Sequence, residues 1–192
     1  MKNITATATG QTRGPELEPL PGRVVQLLER AAAPLRLVAH LRAVHDVASQ
    51  LTEWVAAQCP GLEMDREAVL FGAATHDIGK ALHPAELSGP GSEHEVAGRE
   101  LLLGYGVPAE LARFAEGHAR WGGTGIEDLL VSLADKVWKG KRVPELEELV
   151  VAELVRCSGR PEWEEFLRLD DLLGRIGEGA DERLAYQGAH PV

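Results

Sequence analysis

Of the chain's seven histidines, four stand where an imidazole can do chemistry: His40, His76, His94 and His118. The strongest local signal is AATHDIGK, residues 73–80. His76 and Asp77 are adjacent within a stretch predicted to be helical and surrounded by apolar or small residues. Neighbours on a helix lie about 100° apart, so the two side chains do not share a face, but both can reach one ion lying beside the helix. A buried Asp is costly unless it is paired, hydrogen-bonded or metal-bound. Imidazole with carboxylate suits Zn, Fe, Mn and similar divalent ions. The competing reading is a His-Asp pair satisfied within the core or at a cap.

Three further features must be explained with that pair. Asp135 lies mid-helix among Val131, Leu133, Ala134 and Val137, where a carboxylate needs a partner. A cation shared with His76 and Asp77 would serve; so would Lys139, four residues on and on the same face. His40 continues the apolar stripe of Val44, Ala48 and Leu51, whereas His45 falls on an adjacent stripe with Leu41 and Thr52. Either can reach inward, and His40 is preferred; both also read as core histidines. His94, in SEHEVAGRELL, begins one predicted helix and His118, in RFAEGHARW, ends another. A helix C-terminus favours histidine through its dipole, but the two together can also complete a second metal site.

The elements that must position these residues are all helical. Pro34 opens a helix to about Gln58, with Leu37, Leu41, Val44, Ala48, Leu51 and Val55 as its buried stripe, and Cys59-Pro60-Gly61 stops it. Asp65 is the expected N-cap of a helix from Arg66 to about Ala81. Ser88–Gly91 reads as a loop. Ser92 with Glu95 reads as a capping box for a helix to Gly104 or Gly106. Further helices are expected from Pro108 to about His118, from Ile126 to about Trp138, from Pro144, from Pro161 and near Asp181–Tyr186. No strand, hairpin or repeat signal appears. The expected class is all-α, with a flexible arm over 1–21 and a single body over 22–192, its core 34–142 and its C-terminal helices 143–187.

Composition narrows the function. A net charge of −10 argues against an extended nucleic-acid surface, but not against a small phosphorylated substrate, since a bound metal dominates its local field. Cys59 and Cys157 have no CxxC or Cys/His pattern and read as free thiols. No apolar stretch reaches membrane-spanning length and the N-terminus lacks signal-peptide character, so a cytoplasmic location is expected.

The order H…HD…H…H…D, anchored by HDIGK, resembles the HD superfamily of metal-dependent phosphohydrolases over roughly residues 34–142. The stretch HPAELSGPGSEHEVAGRELLLGYGVP is similar to the HD-GYP branch, although the full GYP signature of the cyclic-dinucleotide enzymes is absent. IEDLLVSLADKVWKGKR resembles the branch that hydrolyses diadenosine polyphosphates. The resemblance implies a helical bundle with a central metal site. It implies that His40, His76, Asp77 and Asp135 hold one divalent ion, and that Asp77 bridges to a second held by His94 and His118. It implies that Lys80 neutralises a phosphate oxygen, with Glu86 an extra ligand in a three-metal variant.

On that footing the expected reaction is hydrolysis of a phosphoester or phosphoanhydride in a nucleotide-like molecule by a metal-activated water. Two ions drawn from Mn, Fe, Ni, Co, Zn or Mg would serve, with Arg120 or Arg142 as further cationic contacts. Gly122, Gly123 and Gly125 beside Trp121 form an expected mobile rim. Trp121 either stacks on a base or packs. Other readings are an HD-fold di-iron oxygenase, a non-enzymatic nucleotide-binding module, or a scaffold. The Leu and Val stripes after Pro144 and Pro161 either pack on the bundle or form a homodimer surface.

Overall fold

The structure is a computed structural model that describes residues 15–118, 121 and 123–192. Among these residues it is all-α, with helices α1 (Gly22–Arg30), α2 (Leu35–Gln58), α3 (Arg66–Thr75), α4 (Glu93–Gly104), α5 (Ala109–Gly117), α6 (Ile126–Val137), α7 (Pro144–Ser158), α8 (Glu162–Glu178) and α9 (Ala180–Gly188). Two 3-10 turns, Ile78–Ala81 and Pro84–Leu87, lie between α3 and α4. Among the described residues, no helix is long and apolar enough to cross a membrane.

Helix α2 is the axis of the bundle. Its 24 residues carry apolar side chains on several faces, which is the pattern of a helix buried on most sides. It packs on α3 and α6, and α9 returns to lie against it. Two apolar clusters share it. Ala43, Val44, Val47, Leu51 and Val55 join Leu130, Leu133 and Val137 of α6 and Leu146, Val150 and Leu154 of α7. Leu37 and Leu41 join Val24 and Leu28 of α1 and Leu102 and Ala112 of α4 and α5. Helix α3 divides in the same way, giving Val69 and Ala73 to the first cluster and Phe71 and Ala74 to the second. The end of α3 is thus held from both sides.

The expected helix over 66–81 breaks early. Asp65 caps it as read, accepting the Ala68 N–H at 3.0 Å, but α-helical structure stops at Thr75. Asp77 leaves it with φ −103° and ψ 11°, and a 3-10 turn follows. The cause is tertiary. The Gly79 backbone is pressed against α4: a Cβ at Gly79 would sit 2.6 Å from Gly98 N and closer still to the His94 carbonyl. Only glycine permits that approach.

The expected Ser92 capping box is also replaced. The Ser92 hydroxyl makes no capping bond; the Glu86 carboxylate accepts the Glu93 and His94 backbone N–H groups instead.

Most of the arm expected over 1–21 lies outside the described residues. Its described end lies against α2. Leu17 is buried, Arg42 donates to the carbonyls of Leu17 and Glu18, and the Glu18 N–H donates to Asp46 at 3.0 Å. Of the C-terminal stripes, Leu169, Leu172, Leu173 and Ile176 pack inward, while Trp163, Phe166 and Leu167 are exposed. Cys59 is buried and Cys157 half-buried, both as free thiols. Burial, then the neighbouring Cys157, pushes the Cys59 thiol up to about 11.

Candidate metal centre

His40 comes from the first third of α2, His76 and Asp77 from the break after α3, and Asp135 from α6. His94 comes from the first turn of α4, and His118 from the C-terminal end of α5. All six are buried, His76 fully. Their ligand atoms converge. His40 Nε2 lies 3.1 Å from Asp77 Oδ2, 3.4 Å from His76 Nε2 and 3.8 Å from Asp135 Oδ1. His76 Nε2 lies 3.5 Å from Asp135 Oδ1 and 3.6 Å from Asp77 Oδ2. The other Asp77 oxygen, Oδ1, faces away from this group and lies 3.0 Å from His94 Nε2 and 3.6 Å from His118 Nε2. Asp77 therefore presents one oxygen to each of two clusters.

Ligand atoms bonded at about 2.1 Å to one ion are separated by about 3.0 Å in octahedral and about 3.4 Å in tetrahedral geometry. The observed spacings, 3.0 to 3.8 Å, begin in that range and exceed it by at most 0.4 Å. The ring orientations agree with it. His76 Nδ1 faces the Ala73 carbonyl at 3.0 Å, His118 Nδ1 the Ala115 carbonyl at 3.2 Å, and His94 Nδ1 the Glu86 carboxylate. A ring that donates from Nδ1 keeps its Nε2 lone pair for a metal. Asp77 Oδ1 and His94 Nε2 are buried and make no aligned hydrogen bond among the described residues. Buried polar atoms left in this way call for an occupant, and a divalent cation fits this donor set.

The electrostatics match. Burial opposes the charged form of Asp77, but His76, His40 and His94 outweigh it and hold the carboxyl well below its usual range. Asp135 behaves alike, with burial opposed chiefly by its hydrogen bond to His76 and by the charges of His76 and Lys136. Burial lowers His40 despite Asp77. Burial and then His76 push His118 down to about 4. Burial also works against protonation of His94, yet Asp77 and Glu86 together raise it. Deprotonated carboxylates and the neutral imidazole favoured at His40 and His118 are the forms a metal needs, whereas His94 must give up a proton to bind one.

Several sequence expectations land elsewhere. Asp135 pairs with the adjacent Lys136, at 2.6 Å, and not with Lys139, whose ammonium lies over the Trp138 ring. An α-helix puts successive side chains too far apart to suggest that pair, and only the long lysine stem closes the gap. Lys136 is therefore the site residue that sequence reasoning missed. A second is Trp138, whose ring meets His40 edge-on at 4.9 Å. Lys80 pairs with Asp77 Oδ2 at 2.6 Å. His45 is buried but stays outside the cluster, and neither ring nitrogen has a hydrogen-bond partner among the described residues. Arg142 is committed to Glu147 and Asp170 at 2.6–2.9 Å, and those carboxylates raise its pKa further. With its guanidinium so engaged it clamps the start of α7. Trp121 packs against the larger apolar cluster. Arg120 and Gly122 lie outside the described residues, and with Gly122 the middle of the expected rim.

The HD domain family model matches residues 37–138. A protein of Methanocaldococcus jannaschii described as uncharacterized is 35% identical over 100 residues, covering 52% of this chain and 54% of its own length. The chain thus spans about half of that relative. No solved structure matches significantly.

Proposed function

The chain belongs to the HD domain family of metal-dependent hydrolases, and from that premise we propose that it is a phosphohydrolase that cleaves a phosphoester or phosphoanhydride of a small, nucleotide-like molecule. The observation that carries this reading is the division of Asp77, whose Oδ2 faces His40 and His76 while its Oδ1 faces His94 and His118. His40, His76, Asp77 and Asp135 would hold one divalent ion and Asp77, His94 and His118 a second. When bound, such a pair supplies Lewis acidity to a phosphoryl oxygen and a nucleophilic water at neutral pH.

The chain's own residues supply the rest. Lys80 and Lys136 stand beside the cluster, each on a carboxylate that a cation would claim. With a cation on those carboxylates, the two ammonium groups would stand beside it, placed to meet phosphate oxygens. An anion entering an acidic protein needs such local cations. Burial keeps bulk water from the six ligands and makes each charge count for more.

The test is elemental analysis of protein purified without chelator, paired with a phosphate-release screen over nucleotides and added metals, anaerobically and in air. About two transition-metal equivalents with metal-dependent release, both abolished in Asp77→Ala, is the expected result. Iron with oxygen-dependent substrate loss and no phosphate release would replace hydrolysis by oxygenation. Full metal content and turnover in Asp77→Ala would remove the assignment.

A further inference from the structure

Glu86 lies outside the six-residue cluster, yet its side chain is only 8% exposed. Its Oε1 accepts the Glu93 backbone N–H at 3.2 Å and its Oε2 the His94 backbone N–H at 3.3 Å. Oε2 also faces His94 Nδ1. One carboxylate thus closes the N-terminus of α4 and grips the imidazole behind it. Ser92 occupies the N-cap position and makes no side-chain cap, although serine there is among the best capping residues. The chain makes room for the substitute: a Cβ at Gly91 would stand 2.5 Å from Glu86 Cγ and closer to its carboxylate. Capping alone does not require this, because Ser92 is in place to do it. A serine cap cannot reach His94 Nδ1.

His76 and His118 rest on neutral backbone carbonyls at the equivalent nitrogen; His94 rests on a carboxylate. An anionic acceptor fixes the same tautomer and also makes the ring a stronger donor to a metal. The two oxygens already serve three donors, which leaves them turned away from Asp77.

Resting on the metal-site reading above, we propose that Glu86 is the positioning residue of the Asp77–His94–His118 half-site. It holds the His94 ring with Nδ1 protonated and Nε2 aimed at Asp77 Oδ1, and strengthens Nε2 toward a divalent cation without ligating that cation. The competing occupant is a separate ion on Glu86, His83 and Glu93, whose ligand atoms also approach one another. Glu93 is largely exposed and pairs with His83 at 3.4 Å, the behaviour of a surface pair.

The experiment is a calorimetric titration of the metal-free full chain with Mn²⁺, for wild type, Glu86→Gln, Glu86→Ala and Glu86→Ala/Ser92→Asp. The double variant restores a cap to α4 but no acceptor to Nδ1. Two binding events are expected in wild type, one weakened about 10- to 100-fold by Glu86→Ala, with Glu86→Gln between. The double variant should recover hydrogen-exchange protection in the first turn of α4 while its Mn²⁺ affinity stays low. Recovery of affinity with the cap would reduce Glu86 to a cap and overturn the proposal. Complete loss of one event in Glu86→Ala, repeated in His83→Ala, would make Glu86 a ligand and overturn it equally. ¹⁵N spectra of the histidine rings in metal-free protein decide separately from metal binding. A His94 Nδ1–H signal present in wild type and lost in the double variant supports the proposal even if wild type binds no Mn²⁺, a result that would refute only the metal-site reading. An unchanged ring signal overturns it.

Discussion

Gly79→Ala tests whether the HDIGK turn positions the second half-site. An added Cβ would lie 2.6 Å from Gly98 N and 2.9 Å from Gly98 Cα, and nearer yet to the His94 carbonyl. Ordinary contact begins at 3.4 Å, so the shortfall at Gly98 N alone is 0.8 Å. The obstructing atoms are backbone, and no rotamer change relieves them. The start of α4 must therefore retreat by roughly 1 Å, carrying His94, on the scale at which closely packed interiors resist change. Overpacking of this kind costs about 1–3 kcal/mol, and at about 2–4 °C per kcal/mol for a chain of this size Tm should fall by about 2–12 °C. The larger effect is on metal. Ligand distances must hold within about 0.2 Å, and His94 would be displaced by several times that from its 3.0 Å approach to Asp77. The variant should lose about one of two metal equivalents and keep the ion on His40, His76, Asp77 and Asp135, as read by elemental analysis with a thermal melt. A Gly79→Ala protein with full metal content and an unchanged Tm would refute both the close approach and its role.

Other perturbations separate substrate contacts, structure and charge. Lys80→Ala should retain bound metal but lose about 10- to 100-fold in kcat/KM, the worth of one charge-assisted contact; unchanged steady-state kinetics would remove Lys80 from the substrate site. Arg142→Ala should leave metal content and KM intact while destabilising the fold by about 1–2 kcal/mol, since Glu147 is buried and loses its bidentate partner. Denaturant titration reads the loss, and a KM change without one would restore Arg142 to the site. Burial lowers the His45 pKa, partly countered by Glu18 and Asp46. A depressed folded-state value means stability that is complete above the unfolded value near 6.5 and is lost as pH falls through the folded one. His45→Leu should therefore shrink the drop in Tm between about pH 7.5 and about pH 5.5, and an undiminished drop would show that His45 carries none of it.

What was legible in the chain was what local chemistry controls. The Pro34 opening, the Asp65 cap and the stripe from Leu37 to Val55 specify α2 and the start of α3 within a residue or two, because turn residues and apolar spacing act over short range. The choice of His40 over His45 followed from Val44 and Ala48 continuing its face, and the structure brings His40, not His45, to Asp77. Two misreadings share one cause, a contact from another segment that overrides a sound local rule, while the competing Lys139 pairing for Asp135 is undone locally. Helical propensity carried the Arg66 helix through to Ala81, yet Gly79 meeting Gly98 ends it at Thr75. Ser92 followed by Glu95 reads as a capping box, yet Glu86 takes the cap because it also faces His94. Lys139 is four residues from Asp135, but it lies over Trp138, and Lys136 takes the carboxylate. Periodicity names the faces of a helix; it does not say which neighbour arrives there.

The two half-sites differ in what holds them. His40 and Asp135 sit inside α2 and α6, whose apolar faces belong to the largest core cluster, so displacing them requires disrupting that core. His94 and His118 sit in the first turn of α4 and at the C-terminal end of α5. Their placement depends on the Gly79–Gly98 approach, the Glu86 bridge and the packing of α4 on α5. Local opening is easiest where such end contacts, and not a buried core, supply the stability. Asp77 joins the halves, so opening of α4 withdraws partners from its Oδ1 while Oδ2 keeps His40. On the proposed reading, such a hydrolase would hold one ion on a rigid frame and the other on the half that opens more easily.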